Sequence, residues 1–162
     1  MGFSRKRQSP DMPPLIEELK AGEPIVFDEE EQRVIDREIE YQYDNYYKDK
    51  IFPKDVAEEM QNAFASEALK KLAKSKLSSG DLKGAASTCI KSLGLFGKYE
   101  GGWLLLAEIF AEHGDIVRSK GFLDFAKKLH KKNKKVHEKS FEPFWENEVQ
   151  RIQDIIISKQ PK

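Results

Sequence analysis

Leu69-Lys70-Lys71-Leu72-Ala73, followed by Gly80-Asp81-Leu82, returns 34 residues later as Trp103-Leu104-Leu105-Leu106-Ala107, followed by Gly114-Asp115-Ile116. In the same register Cys89 falls against Leu123 and Ser92 against Ala126, while Leu93 meets Lys127 and breaks the match. One shared Gly-Asp pair would carry little weight, but several matched positions in one phase mark a repeated supersecondary unit. Each unit reads as helix, turn, helix. Small residues stand where paired helices cross closely, a glycine stands where the turn needs an open conformation, and large apolar residues lie between.

On these residues the chain resembles the tetratricopeptide repeat family, whose unit is a helix hairpin of that length. Trp103, Leu106, Ala107, Phe110, Gly114, Asp115 and Ala126 fall on consensus places in one unit, and Leu72, Ala73, Gly80, Leu82 and Ala85 do so in the other. There are departures: Ser119 stands where alanine is usual, Gly97 and Lys131 where the family has proline, and Lys76 where it has an aromatic residue. The resemblance covers residues 66–133. It implies an all-α fold of TPR-like helical hairpin repeats, an α-solenoid, whose first helices line a concave groove. Lys70, Lys74, Trp103, Glu108 and Glu112 are then the expected partner-binding positions, with a basic and an acidic half that suit a peptide carrying both signs. The competing reading pairs Lys74 with Glu108 across adjacent helices, which is worth little at an exposed site. The lysine and asparagine set with which some family members grip a chaperone's terminal carboxylate is absent from this sequence.

Two units leave apolar faces at both ends, and about three repeats are normally needed for stability, so flanking helices are expected to cap them. Upstream, Asp28 with Glu31 reads as a capping box and Glu29-Glu30-Glu31 suits a helix N-terminus. The stripe Ile35, Ile39, Tyr43, Tyr46, Tyr47 and Ile51 carries that helix to Pro53. Tyr41, Tyr43, Tyr46 and Tyr47 invite a binding role, since tyrosine is favoured at interfaces, but ring edges packed on the body with hydroxyls in water is the plainer reading. Asp55 to Leu77 is helical, with Val56, Met60, Phe64, Leu69, Leu72 and Ala73 inward, either continuous or broken near Asn62. Gly94, Gly97, Gly101 and Gly102 read as loop punctuation. Downstream, Ser140-Phe141-Glu142-Pro143 opens a helix whose stripe is Phe141, Phe144, Trp145, Val149, Ile152, Ile155 and Ile156. The expected organisation is an extended or disordered arm at 1–27 and one helical domain at 28–160. That domain comprises capping helices at 28–65, the two units at 66–133 and a C-terminal cap at 140–158. In the arm, Pro10, Pro13, Pro14 and Pro24 block a continuous helix. Only Leu15–Lys20 has room for a turn or two, and Ile25-Val26-Phe27 is the piece expected to dock.

Charged residues make up 35% of the 162 and hydrophobic ones 39%, the balance of helices that bury one stripe and solvate the rest. The net charge is zero, yet residues 1–60 hold 16 acids against 9 bases and the remainder 12 against 19. Such asymmetry steers a basic part toward acidic partners or draws the acidic part, residues 11–50, back onto the basic one to regulate access. One cysteine, Cys89, excludes an internal disulfide framework and suits a reducing compartment, as a small core residue rather than a reactive thiol. Arg5-Lys6-Arg7 has no apolar run behind it, which argues against a signal peptide. Lys6 stands where N-myristoylation wants serine or threonine. No apolar stretch approaches a membrane span. The expectation is a cytoplasmic, unanchored protein with no membrane partner.

Lys127-Lys128-Leu129-His130-Lys131-Lys132-Asn133-Lys134-Lys135 could meet phosphates through Lys127, Lys128, Lys131, Lys132, Lys134 and Lys135, with an affinity that falls steeply with salt. The run lacks aromatics for stacking and uses lysine rather than arginine, and cations belong at a helix C-terminus for dipole reasons alone, so a solvated helix end is favoured. His113, His130 and His137 form no zinc spacing with Cys89. Asp44 to Asp49 lacks the central glycine and closing glutamate of a calcium loop. Phosphate cradles and nucleophile elbows are absent from the sequence. No catalytic residue, metal site or cofactor is expected, and the protein is read as no enzyme. The leading expectation is a non-catalytic adaptor, assembly factor or chaperone-like subunit that holds a peptide or helix of a protein partner in the groove, by fold-level analogy. A ribosome- or nucleic-acid-associated role for segment 127–135 is the alternative.

Overall fold

Asp28 and Glu31 close a reciprocal capping box: the Asp28 carboxylate accepts from the Glu31 amide at 2.8 Å, and the Glu31 carboxylate accepts from the Asp28 amide at 2.9 Å. This starts α1, Glu29–Gln42. The computed structural model describes residues 24–135 and 141–161, and five further α-helices follow in them: α2 Lys54–Ser78, α3 Leu82–Leu95, α4 Gly101–His113, α5 Ile116–Lys132 and α6 Phe141–Lys159. Among the described residues there is no strand. The expected arm up to residue 23, and Ser140 of the expected α6 opening, lie outside them. Of the triplet at its end, Ile25 packs on the main core and Phe27 on a smaller cluster, while Val26 points to solvent.

Two boundaries differ from expectation. After Gln42, α1 widens into a π-helical turn, Tyr43–Tyr47, instead of running to Pro53. Asn45 donates its side-chain amide to the Tyr41 carbonyl at 2.8 Å, competing with the backbone ladder. Asp49 then adopts φ 69°, where non-glycine residues are uncommon, and Pro53 caps the start of α2 rather than the end of α1. Helix α2 passes Asn62 unbroken. Its buried residues begin only at Ala65, so Val56, expected inward, is exposed at its free first turn. Gly94 lies in the last turn of α3, and Gly101 and Gly102 open α4, so these three are helical rather than loop glycines.

The two hairpins repeat down to their turn hydrogen bonds. Gly80 (φ 86°) donates to Leu77 and Asp81 to Lys76; Gly114 (φ 89°) donates to Ala111 and Asp115 to Phe110, at the same 34-residue offset. Asp81 and Asp115 then cap α3 and α5 by accepting from the Gly84 and Arg118 amides. A left-handed residue is needed to reverse the chain at each helix end, and glycine takes it without a Cβ penalty.

Helices pack in chain order, α1 on α2, α2 on α3, α3 on α4 and α4 on α5, while α6 rests mainly on α4 and less on α5. Ala73, Ala85, Ala107, Ala126 and Ser119 have no exposed surface, which is what the close crossings require. Ser119 fits an alanine place because its hydroxyl donates to the Ala107 carbonyl at 2.7 Å, so no polar group is left unmet. One continuous core runs from Ala73 to Ile156, through Leu106, Ile109, Phe122 and Trp145.

Candidate functional site

Stacking α2, α4 and α6 side by side leaves a cleft of about 260 Å³ between them. Its α2 wall carries Lys70 and Lys74, its floor Gly101, Leu104, Leu105 and Glu108, and its α6 wall Phe141, Phe144, Trp145, Glu148, Arg151 and Ile152. At Gly101 the Lys70 ammonium comes close to the α4 backbone, 3.3 Å from where a Cβ would stand. Phe144, expected to face inward, is 57% exposed at the lip.

The expected site residues divide. Lys70, Lys74 and Glu108 are brought together in the cleft; Glu112, one turn further along α4, is not among its lining residues. Trp103 is corrected outright: it is 3% exposed, its indole nitrogen donates to the Gly97 carbonyl at 3.0 Å, and its ring packs on Phe125 and Phe122. It shapes the core beneath the cleft and offers no surface to a partner.

Glu108 does not pair with Lys74. Both of its oxygens accept from the Arg151 guanidinium, at 2.7 and 2.8 Å, while Arg151 Nε donates to Glu148 at 2.7 Å. Foremost through the hydrogen bonds it donates to Glu108, this raises the arginine pKa further above its ordinary value. The bidentate fork fixes α6 against α4 and occupies the carboxylate that a basic ligand group would need. On the opposite wall Lys70 reaches Glu67 at 2.8 Å, one turn back on its own helix. Lys74 is exposed and, among the described residues, makes no ion pair. The cleft thus sets Lys70, Lys74 and Arg151 against Glu100, Glu108 and Glu148, and of the three cations Lys74 makes no ion pair among the described residues.

Behind the α6 wall a cluster gathers around His130. His130 Nδ1 is 2.8 Å from Glu100 Oε2, Nε2 is 2.9 Å from Glu142 Oε1, and the ring stacks on Trp145 at 4.1 Å and 12°. Residues 100, 130 and 142 come from three separate elements, and no local spacing links them. Within the lysine run, His130 and Asn133 turn inward, Asn133 donating to the Lys98 carbonyl at 3.2 Å. Lys127, Lys128, Lys131, Lys132, Lys134 and Lys135 are all exposed and, among the described residues, make no ion pair.

Elsewhere, Tyr41, Tyr43, Tyr46 and Tyr47 form an edge-to-face group that reaches Phe52 and Phe64, with Tyr41 and Tyr46 half exposed. The Cys89 thiol, fully enclosed, is pushed up to about 12 by burial and donates to the Gly102 carbonyl at 3.4 Å. No group of three or more His, Cys, Asp or Glu among the described residues is placed to hold a metal ion. No described helix is long and apolar enough to cross a membrane.

Among the described residues the chain is all-helical, six α-helices packed on one another with a cleft between α2, α4 and α6. No protein-family model matches the chain, and no curated protein or solved structure matches it.

Proposed function

We propose that this chain is a non-catalytic protein-interaction module of TPR-like hairpins, serving as an adaptor, assembly factor or chaperone-like subunit. Its cleft between α2, α4 and α6 holds an acidic peptide or helix bearing a bulky apolar side chain. The 34-residue offset repeated in sequence and in the turn hydrogen bonds supports the family reading. The observation that carries the ligand class is the charge arrangement: Arg151 engages both Glu108 oxygens, whereas Lys74 makes no ion pair among the described residues and Lys70, paired with Glu67, stands beside it over Leu104 and Leu105. A ligand carboxylate meets the lysine wall while an apolar side chain displaces water from the floor. This narrows the two-sign peptide suggested by the sequence to an acidic one.

Panning a random peptide display library against the native chain and against a Lys70→Glu/Lys74→Glu variant tests this. Acidic sequences with an aromatic or large aliphatic residue should be enriched on the native chain and lost on the variant. Equal recovery on both, or enrichment of basic peptides, would overturn the reading.

A second reading, association with a polyanion such as nucleic acid, is favoured by six exposed lysines in and just after the last turns of α5, which make no ion pair among the described residues. Its signature is retention on bulk nucleic acid that falls steeply with salt. Retention that is weak, or unmoved by salt, would remove it.

A further inference from the structure

Resting on the polyanion reading above, we propose that the outer face of α5 holds a nucleic-acid duplex by its phosphate backbone, and that the site extends beyond the lysine run to Lys120 and the seam between α5 and α6. Charge selects an anion on this face. The six lysines of that reading, and Lys120 with them, are exposed and make no ion pair among the described residues, whereas Asp124 is the one acid from Ile116 to Lys135. On α6, Glu142 meets His130, Glu148 meets Arg151 and Asp154 accepts from Gln150. Glu146 is the one α6 acid without such a contact among the described residues.

Spacing and surface chemistry narrow the anion. Lys120, Lys127 and Lys131 recur at steps that keep them on one side of α5, a row about 16 Å long. It faces a polymer that carries one charge per about 1.7 Å of its axis. Beside the row, a groove of about 380 Å³ between α5 and α6 sets Lys120 and Lys127 across from Gln153 and Gln160. Their uncharged amides can donate to phosphate and sugar oxygens without adding repulsion. From Lys120 to Lys135 no large apolar side chain is exposed; Val117 precedes that stretch and Ile157 lies on the α6 side of the groove. An acidic protein helix would therefore find little to bury along most of the row. The α5 rings, Phe122 and Phe125, pack into the core, so the face has no platform on which a single strand could stack its bases. A duplex stacks its bases internally and presents phosphates, which is what this face takes.

Fluorescence anisotropy on the full chain tests this with short DNA and RNA duplexes, the separated DNA strand, and polyglutamate of matched charge. At least one duplex should bind about fivefold more tightly than the strand or polyglutamate, with a log–log salt slope of about −3 to −5. Lys120→Gln, an exposed change expected to keep the helical signal by circular dichroism, should weaken duplex binding severalfold and flatten that slope by about 1. Three results would each overturn the inference while leaving the polyanion reading intact. They are a single strand bound as tightly as either duplex, polyglutamate bound as tightly, which would assign the face to an acidic protein, and a Lys120→Gln variant with unchanged affinity and slope. Absence of salt-dependent binding to all four probes would remove the polyanion reading, and this inference with it.

Discussion

At Gly80 and Gly114 the backbone stands at φ 86° and 89°, and a Cβ added at either would meet nothing within 4 Å. Alanine there therefore isolates backbone strain from steric clash, at about 1–2 kcal/mol per site. Gly80→Ala and Gly114→Ala should lower the urea midpoint by similar amounts with no change in slope. A large loss at one and none at the other would deny that the turns are equivalent. Cys89 makes a second residue-scale prediction. With its pKa pushed up from 9.0 to about 12 by burial, the folded state keeps the thiol proton while the unfolded state releases it. Unfolded chains then bind fewer protons, so stability should fall as pH rises from about 9 toward 12. Cys89→Ala should remove that component of the slope. At pH 8 the native thiol should resist a disulfide reagent that labels it fully in denaturant; rapid native labelling would contradict its enclosure.

Between elements, the α4–α6 contact depends on Arg151, which stands half exposed over Glu108 and Glu148. Because solvent screens it, Arg151→Ala should cost under about 1 kcal/mol in stability. It should nonetheless weaken acidic-peptide binding severalfold, since a freed Glu108 would repel the ligand on the cleft floor. Unaltered affinity would show that the fork has no part in ligand choice. The helix pattern was legible where local chemistry dictates it: Asp28 with Glu31, Gly80 with Asp81 and Gly114 with Asp115 each sit where their spacing placed them. It failed where long-range packing decides. Trp103 and Phe144 have the same amphipathic spacing as their neighbours, but one is enclosed by Phe122 and Phe125 and the other faces open water. Lys70 and Lys74 could be placed on one face from their spacing alone. That Glu108 is claimed by a residue 43 positions away could not.

Across the whole molecule, α6 covers the apolar face that the second hairpin would otherwise leave to water, and Trp145 is its deepest aromatic anchor, 7% exposed and stacked on His130. Trp145→Ala should cost about 3–5 kcal/mol, a large share of the stability of an ordinary domain. Bound apolar dye should increase with it, and an unmoved urea midpoint would mean that α6 is dispensable as a cap. At the other end of the stack, the Glu31 carboxylate accepts from the Asp28 amide, Lys91 Nζ and Thr88 Oγ1 at once, at 2.7 to 2.9 Å, and is 1% exposed. One side chain thus both nucleates α1 and bolts it to α3. The leading turn of α1, where helices ordinarily fray, should exchange its amide protons with deuterium as slowly as the interior, because unwinding it requires tearing three bonds from a dry carboxylate.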